Sequence, residues 1–303
     1  MTYDLALIDG SGFAKAAFVR GKRALAHRFL LRVFKLNGEE RGVRQVVAWD
    51  PDDNAEERRR RFPDYKKSRR RRETEPNPNP GDFSLLRYDP EYVGELAELR
   101  RLLPTLGVAQ AYAPGWEADD VLATLARGAE ARGERVLVLT RDADLLQLVS
   151  ERVSVYLKVG SRETLYTPAR AGKEGRRVGA ALTDWKALSG DPGDDVPGLP
   201  GVGPKTATAL LEWYPHLVET LLIGNFPPIG DLVDGKLEKR VETAFRKVWT
   251  PEGLKRLELM RWLVELHDVP LRFVRGRLDL DRARALFAAA GLRTLRARLR
   301  EWS

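Results

Sequence analysis

Short clusters of acidic residues follow apolar, strand-like runs at several separated points of the sequence. The full set is Asp9, Asp50, Glu117, Asp119, Asp120, Asp142, Asp144, Asp191 and Asp194. In an open parallel α/β sheet the carboxyl ends of the strands border one crevice, so these carboxylates are expected to converge. Converging negative charges repel one another, and hard divalent cations prefer oxygen ligands. The sequence therefore predicts a metal site.

Carboxylates gathered in this way fit phosphoryl chemistry. Two divalent ions roughly 4 Å apart can activate a water and stabilise the leaving oxygen of an in-line displacement. Such chemistry needs no covalent protein nucleophile, and the sequence offers no Ser-His-Asp or Cys-His candidate. Each cluster alone is equally explained as a helix cap, as for Glu117 to Asp120 before a helical pattern. The metal interpretation depends on the conjunction, because Asp9 and Asp50 follow strands that are expected to need no cap.

A glycine-rich segment, GLPGVGPKTA at 198–207, is the second candidate site. Alternate glycines permit a tight hairpin with outward-facing amides, and Pro204 favours the start of a helix. Amides at a helix N-terminus bind phosphate, and Lys205 adds charge. The pattern is a helix-hairpin-helix signature, which holds a nucleic-acid backbone without reading bases. The alternative is an ordinary glycine turn between packed helices.

A dense basic segment, Arg58 to Arg72, is the third candidate. Within it, Tyr65 offers a ring that could stack on a base, and Lys66 a cation that could meet a scissile phosphate. The alternative is a solvated charge run. The stretch that follows, ETEPNPNPGD, is expected to be irregular because Pro and Asn disfavour regular structure.

The elements that must position these residues alternate along the chain. Four runs read as strands and two as helices. The strands are Asp4–Ile8, Gln45–Trp49, Arg135–Leu139 and Arg152–Val159, and the helices are Glu91–Leu103 and Ala118–Ala131. This alternation predicts a parallel sheet covered by helices, ending near Pro168. Beyond Leu182 the pattern is helical and ends in an Arg-rich amphipathic segment, Leu280–Trp302.

Composition narrows the class of protein further. The 303 residues include 52 Lys and Arg against 44 Asp and Glu, a formal charge of +8. A polyanion is the natural partner for such a surface, but the charge alone fits a merely soluble, Arg-rich protein equally well. Cysteine is absent and only three histidines occur, which excludes thiolate chemistry and makes a zinc site improbable. Without a targeting signal or a membrane-spanning apolar run, we expect a soluble, intracellular, cytoplasmic protein.

Taken together, these residues resemble the 5′ nuclease (flap endonuclease) superfamily, and most closely the bacterial 5′-3′ exonuclease domain that precedes DNA polymerase I. The matching motifs run in the family's order and cover most of the chain. They are LIDG, AWD, RFPDYKKSR, PGWEADDVLATLA, VLVLTRDADLLQLV, LSGDPGDDVPGLPGVGPKTATALL and HDVPL.

The resemblance implies a fold and a set of residue roles. The fold would be a parallel twisted α/β sheet flanked by helices, a PIN-like or resolvase-like core at 1–170 with a helical arch at about 56–90. Residues 171–303 would hold the helix-three-turn-helix region and the C-terminal helices. A first metal would be held by Asp9, Asp50, Glu117, Asp119 and Asp120, and a second by Asp142, Asp144, Asp191 and Asp194.

The resemblance also implies how DNA would be handled. Lys66 corresponds to the arch lysine that assists cleavage, and Tyr65 to its aromatic neighbour. The DNA-binding residues would be Arg69, Arg70, Gly198, Gly201, Gly203, Lys205 and Thr206. A K⁺ ion held by backbone carbonyls is a further candidate ligand of the hairpin.

The sequence thus predicts a monomeric, Mg²⁺- or Mn²⁺-dependent 5′-3′ exonuclease and flap endonuclease acting on DNA with 5′ flaps, nicks or 5′ ends. RNA–DNA hybrid is a further candidate substrate. Since no polymerase module follows Ser303, it would cooperate with a separate DNA polymerase in repair or replication. Two alternatives remain open: a non-catalytic duplex-DNA-binding protein of the same fold, and a PIN-like ribonuclease. A small PIN domain would have neither the hairpin nor the Asp191/Asp194 pair.

Overall fold

A computed structural model describes residues 3–40, 42–74, 86–223 and 239–302. The chain forms two compact units, the first comprising Met1–Glu57, Pro76–Gly175 and His267–Ser303 and the second Arg58–Glu75 and Arg176–Leu266. The predicted boundary near 170 lies close to the one at Gly175. The C-terminal residues, however, join the first unit, and the basic segment joins the second. The stretch predicted to be irregular is 73–82; Glu73 and Thr74 instead end a helix that begins at Lys67, and residues 75–82 lie outside the described residues.

The first unit contains a seven-stranded mixed sheet in the order β6-β5-β4-β1-β2-β3-β7. The five inner strands are parallel and the two edge strands are antiparallel to their neighbours. The strands are β1 Leu5–Asp9, β2 Arg44–Ala48, β3 Ala109–Tyr112, β4 Val136–Thr140, β5 Val153–Val159, β6 Arg162–Tyr166 and β7 Arg272–Val274.

Four of the five inner strands, β1, β2, β4 and β5, agree with the sequence prediction because their apolar runs are largely buried. All five residues of β1 and of β4 are buried, as expected for parallel strands covered by helices. The prediction omitted β3, β6 and β7, and it ended the sheet near Pro168, which is wrong because β7 pairs with β3. A strand of three exposed residues, such as β7, carries no periodic signal.

Helices cover this sheet, and their starts follow local capping chemistry. Asp89 accepts bonds from the amides of Glu91 and Tyr92, with Pro90 in the first turn. The first unit's helices are α1 Gly10–Ala17, α2 Leu25–Glu39, α5 Pro90–Leu102, α6 Ala118–Ala131, α7 Pro168–Lys173, α13 Leu280–Ala289 and α14 Arg293–Arg298. Phe34 of α2 packs against Trp302 with ring centroids 4.7 Å apart, so the C-terminal segment completes the core.

The second unit is helical. Its helices are α4 Lys67–Thr74, α8 Ala180–Ser189, α9 Pro204–Trp213, α10 Leu217–Ile223, α11 Lys239–Val248 and α12 Pro251–Val264, and a short helix α3, Glu56–Arg61, leads into it. Phe245 is fully buried and packs edge-on against Trp213. Arg58 is buried too, and its guanidinium donates to the carbonyls of Leu263 and Glu265 at the end of α12. This part of the basic segment is therefore a helix C-terminal cap and not a solvated charge run.

Within the described ranges, no helix has both the length and the apolar composition that a membrane span requires.

Candidate metal centre and nucleic-acid interface

The acidic residues of the first unit lie at the carboxyl ends of four neighbouring strands. Asp9 is the last residue of β1, Asp50 lies two residues beyond β2, and Asp142 two residues beyond β4. Glu117 begins the helix that follows β3, and Asp119 lies in its first turn. Since β4, β1, β2 and β3 are adjacent and parallel, these carboxylates share one edge of the sheet. The sequence predicted this placement for the acids of the first unit. It also predicted that Asp191 and Asp194 follow a strand, which is wrong because they follow helix α8 in the second unit.

The assumption that Asp9 and Asp50 cap nothing is wrong. Asp9 Oδ1 accepts the amide of Gly12 at 2.7 Å, which caps α1, and Asp50 Oδ1 accepts the amide of Ala118 at 2.9 Å at the start of α6. Helix α1 begins directly at the end of β1, so one carboxylate both ends a strand and caps a helix. Capping alone therefore explains positions that had been attributed to metal binding.

Electrostatics distinguishes this group from ordinary caps. Burial, opposed by the Gly12 amide and reinforced by the charges of Asp50 and Asp142, raises the pKa of Asp9 to about 6. Burial also raises the pKa of Asp119 well above its usual range, and four neighbouring carboxylates add to the effect, Asp142 most. These groups resist ionising together, and a divalent cation would relieve that repulsion. An all-oxygen donor set of this kind fits Mg²⁺ or Mn²⁺.

Two glycines near Asp9, which were not among the predicted site residues, belong to the same arrangement. A Cβ on Gly12 would lie 2.2 Å from Asp9 Oδ2, and one on Gly10 would lie 2.6 Å from the carbonyl oxygen of Ala48. Lys15 was missed as well, and its Nζ lies 3.7 Å from Asp50 Oδ2. A lysine in the helix that follows a strand-end acid is the signal that could have indicated it.

Asp120 has a different position from its neighbours. Its side chain is fully buried, one oxygen accepts the amide of Glu117 at 3.3 Å, and the other accepts the amide of His267 at 2.9 Å. Glu117 and Asp120 form a reciprocal capping box. Asp120 thus joins the start of α6 to the HDVPL segment, and this geometry favours a structural role over the predicted metal ligation.

Asp144 and the second unit's Asp191 are held by local bonds. The amide of Asp144 donates to Asp142 Oδ1 at 2.9 Å, and Lys186 Nζ lies 2.6 Å from Asp191 Oδ2. Burial alone would raise the pKa of Asp191, but the Lys186 ammonium and its hydrogen bond hold that pKa below its usual value. Asp191 is therefore charged and already paired with a cation.

Asp194 contacts three side chains of the basic segment. Its Oδ2 accepts the Tyr65 hydroxyl at 2.9 Å and lies 3.4 Å from Lys66 Nζ, and its Oδ1 lies 2.7 Å from Arg69 Nη2. The Tyr65 side chain is only 2% exposed, so the prediction that it stacks on a base does not fit this position. Arg70 donates to the carbonyl of Pro63 within the same segment.

The glycine-rich hairpin has one packed side and one exposed side. Gly198 has a φ of +66°, and a Cβ there would lie 2.3 Å from the amide nitrogen of Gly190. Gly201, Gly203 and Lys205 are exposed. Thr206 is 5% exposed and faces the core, so it does not offer the surface contact predicted for it. Gly203 has a φ of −85° with open space around it, so a residue with a Cβ would fit there without backbone strain.

An acidic edge on an α/β sheet, followed by a helical hairpin region, fits the class of nuclease predicted from the sequence, and comparison with known proteins identifies the family. Residues 4–174 match the 5′-3′ exonuclease N-terminal resolvase-like domain, and residues 179–281 match the 5′-3′ exonuclease C-terminal SAM fold. The chain belongs to the 5′-3′ exonuclease family. The predicted resemblance and the resemblance-based fold class are thereby confirmed.

Individual relatives show the same relationship. DNA polymerase I of Mycobacterium bovis is 34% identical over 250 residues, covering 80% of this chain and 24% of that protein. A 5′-3′ exonuclease of Mycobacterium tuberculosis is 40% identical over 183 residues, covering 57% of this chain and 55% of the relative. The chain thus spans about a quarter of the length of the polymerase relative.

Among solved structures, the bacteriophage T5 D15 flap endonuclease has a similar fold. Its pseudo-enzyme-product complex with DNA and metal ions superposes with a TM-score of 0.63 at 17% identity, covering 98% of each chain. At this identity the likeness shows the fold.

Proposed function

We propose that this protein is a divalent-metal-dependent, structure-specific 5′ nuclease that hydrolyses phosphodiester bonds in DNA with 5′ flaps, nicks or 5′ ends. The observation that carries the proposal is the placement of Asp9, Asp50, Glu117, Asp119 and Asp142 at the carboxyl ends of adjacent parallel strands. Burial, with repulsion between these carboxylates added to it, raises the pKa of Asp9 and of Asp119. A helix cap needs one carboxylate, whereas relief of this repulsion needs a cation. Membership of the 5′-3′ exonuclease family supports the same reaction.

Two groups of carboxylates would hold the metals. The first is Asp9, Asp50, Glu117 and Asp119, and the second is Asp142, Asp144, Asp191 and Asp194, with Asp120 fixing the start of α6. Mg²⁺ or Mn²⁺ bound there would supply an activated water and stabilise the leaving oxygen.

The chain's own cations and amides would position the DNA. Lys66 would contact the scissile phosphate, and Arg69 and Arg70 would bind the same DNA strand. The exposed amides of Gly201 and Gly203 and the charge of Lys205 would bind the duplex backbone, with K⁺ as a candidate ligand of that hairpin. RNA–DNA hybrid is a candidate substrate, and a DNA polymerase a candidate partner.

One cleavage experiment tests the proposal. End-labelled flap, nicked duplex and RNA–DNA hybrid are incubated with Mg²⁺, Mn²⁺ or EDTA, and the wild type is compared with Asp142→Asn. Asp142→Asn removes a ligand charge while keeping the shape, so it is expected to depress turnover much more than DNA binding. Asp281→Asn is the matched control, since Asp281 is an exposed acid paired with Arg284 in the same unit. Wild-type cleavage by Asp142→Asn at low Mg²⁺ would refute the metal assignment.

The same assay decides between this function and its alternatives. A non-catalytic DNA-binding protein would bind the flap and leave it intact with every metal. A PIN-like ribonuclease would cut single-stranded RNA in preference to flap DNA. The helical match over residues 179–281 favours the nuclease with a hairpin over a small PIN domain.

A further inference from the structure

In the middle of the basic segment, the turn at residues 63–66 and the first residues of α4, 67–70, form a unit that we call the arch turn. It is joined to the loop at 191–196 by side-chain and backbone bonds, all inside the second unit. The side-chain contacts converge on Asp194, whose carboxylate accepts a hydrogen bond from Tyr65 and forms ion pairs with Lys66 and Arg69. A carboxylate has about four acceptor positions, so three donors occupy most of its capacity.

Backbone bonds reinforce the same contact. The amide of Lys66 donates to the carbonyl of Asp194 at 2.9 Å, and the amide of Ser68 donates to Asp195 Oδ2 at 2.8 Å. Arg69 Nε donates to the carbonyl of Gly193 at 3.2 Å. Together these bonds hold both the side chains and the main chain of the arch turn.

The backbone of both partners is unusual at the point of contact. Lys66 has a φ of +53° and Asp195 a φ of +57°, although neither is glycine. Residues with a Cβ disfavour this left-handed region, and such conformations persist when the surroundings impose them, most often at functional sites. The bonds to the loop at 191–196 contribute to imposing this conformation on Lys66.

We propose that Asp194 is a positioning residue for the arch turn, and that a divalent cation displaces the turn from it. The inference rests on the proposed function, because that function makes Asp194 a metal ligand. A doubly charged ion beside Asp194 would repel the Lys66 ammonium and the Arg69 guanidinium and would compete for the same oxygens. Released from Asp194, these two cations are available to a DNA phosphate. In this proposal the Asp194 carboxylate binds either the arch turn or the divalent cation.

Limited trypsin digestion without DNA tests the proposal, since the arch turn carries its own cleavage sites. The rate of cutting after Lys66, Lys67 and Arg70 is followed by mass spectrometry in EDTA and in Ca²⁺. In EDTA, Asp194→Asn is expected to be cut on the order of tenfold faster than the wild type, the factor that loss of a charge-assisted bond implies. Ca²⁺ is expected to accelerate cutting of the wild type and to leave Asp194→Asn unchanged.

Two further variants keep the test decisive. Arg69→Gln breaks the 2.7 Å contact from the other side and should also be cut faster in EDTA, so the proposal stays testable if Asp194→Asn does not fold. Asp64→Asn is the control, because Asp64 lies in the same turn and pairs with Lys67. It should be cut at the wild-type rate.

The outcomes separate this inference from the proposed function. If the Asp194 and Arg69 variants, shown to be folded by circular dichroism, are cut like the wild type in EDTA, Asp194 does not position the arch turn, whatever the enzyme cleaves. If wild-type cutting is unchanged or slower in Ca²⁺, the cation does not displace the turn. Neither reading depends on flap cleavage.

Discussion

Asp184 in α8 illustrates how one buried residue can set a pH dependence. Its Oδ1 lies 3.4 Å from Arg261 Nη1, yet burial outweighs that attraction and, with Glu265 and Glu219, raises the pKa of Asp184 to about 6. A raised pKa means that the folded chain binds the proton more tightly than the unfolded chain does. The stability that this proton contributes is therefore present below about pH 4 and is lost as the pH rises to about 6.

We predict that Asp184→Asn removes this pH dependence. Between pH 4 and pH 7, the contribution of Asp184 to the free energy of unfolding of the wild type should fall by roughly 2–3 kcal/mol. The asparagine variant, whose amide does not titrate, should show no such fall. Urea unfolding at both pH values measures the difference. Asp281→Asn, at an exposed acid, should keep the wild-type dependence. An Asp184→Asn protein whose stability falls with pH as steeply as that of the wild type would contradict the prediction.

Lys66 tests the chemistry of the arch turn at a single side chain. Loss of one preorganised charge at a developing oxyanion typically costs on the order of 10²-fold in rate. We expect Lys66→Ala to show such a loss in single-turnover cleavage of a flap. Lys67→Ala is the control because Lys67 is exposed and pairs with Asp64. If Lys66→Ala and Lys67→Ala cleaved the flap at equal rates, Lys66 would not be the residue that contacts the scissile phosphate.

At the scale of elements, the hairpin before α9 combines packing and binding on opposite sides. We predict that Gly198→Ala lowers the free energy of unfolding by roughly 2–4 kcal/mol, because φ is positive there and the Cβ would clash with Gly190. Gly203→Ala should stay within about 0.5 kcal/mol of the wild type, since its φ is ordinary and its surroundings are open. Urea unfolding of both variants checks the contrast, and similar losses for the two would show that the packed side is misassigned.

The exposed side of the hairpin makes a separate prediction about DNA. Lys205→Ala should weaken binding of all duplex sequences about equally and reduce the slope of log K against log salt by about one unit. Titrations at several salt concentrations measure that slope. Lys35→Ala, at an exposed lysine paired with Glu39, is the control. Unchanged affinity and slope for folded Lys205→Ala would leave the hairpin as a packing turn.

Most inner elements were predictable because burial leaves a strong pattern, whereas the inner strand β3, with four residues of which two are buried, was not predicted. Strands β1, β2, β4 and β5 lie within one residue of their predicted positions, and α6 matches at both ends. Edge strands were not predictable, since β6 pairs on one side only and β7 is three residues long. Their pairing depends on partners distant in sequence, and a single sequence does not show these.

The candidate site was predictable as a set of residues but not as a set of contacts. Helix capping and metal binding select the same residue type, so the sequence could not separate Asp120, with both oxygens on backbone amides, from Asp119. Tyr65 was assigned to base stacking because sequence gives the ring and not its burial. Lys15 was missed because no motif marked it.

At the scale of the whole molecule, the C-terminal segment contributes to the first unit's core. Trp302 packs on Phe34, and its Nε1 donates to the carbonyl of Leu106 at 3.1 Å. We predict that Trp302→Ala lowers the free energy of unfolding by roughly 3–5 kcal/mol, which is the range observed when a buried aromatic side chain is truncated to alanine. Thermal unfolding followed by circular dichroism measures the loss. Leu278→Ala, at an exposed side chain, should change little. If Trp302→Ala left the melting temperature unchanged, the C-terminal segment would not contribute to the stability of the core.

The division of the chain has a consequence for synthesis on the ribosome. The first unit begins at the N-terminus, yet its core includes Phe287, Leu295 and Trp302. The last residue of the second unit is Leu266. As the chain is made from its N-terminus, the second unit is the first to have all of its residues. Until α13 and α14 have been synthesised, the apolar face of the sheet that they cover is incomplete. We expect aggregation of the nascent chain to be favoured during this interval.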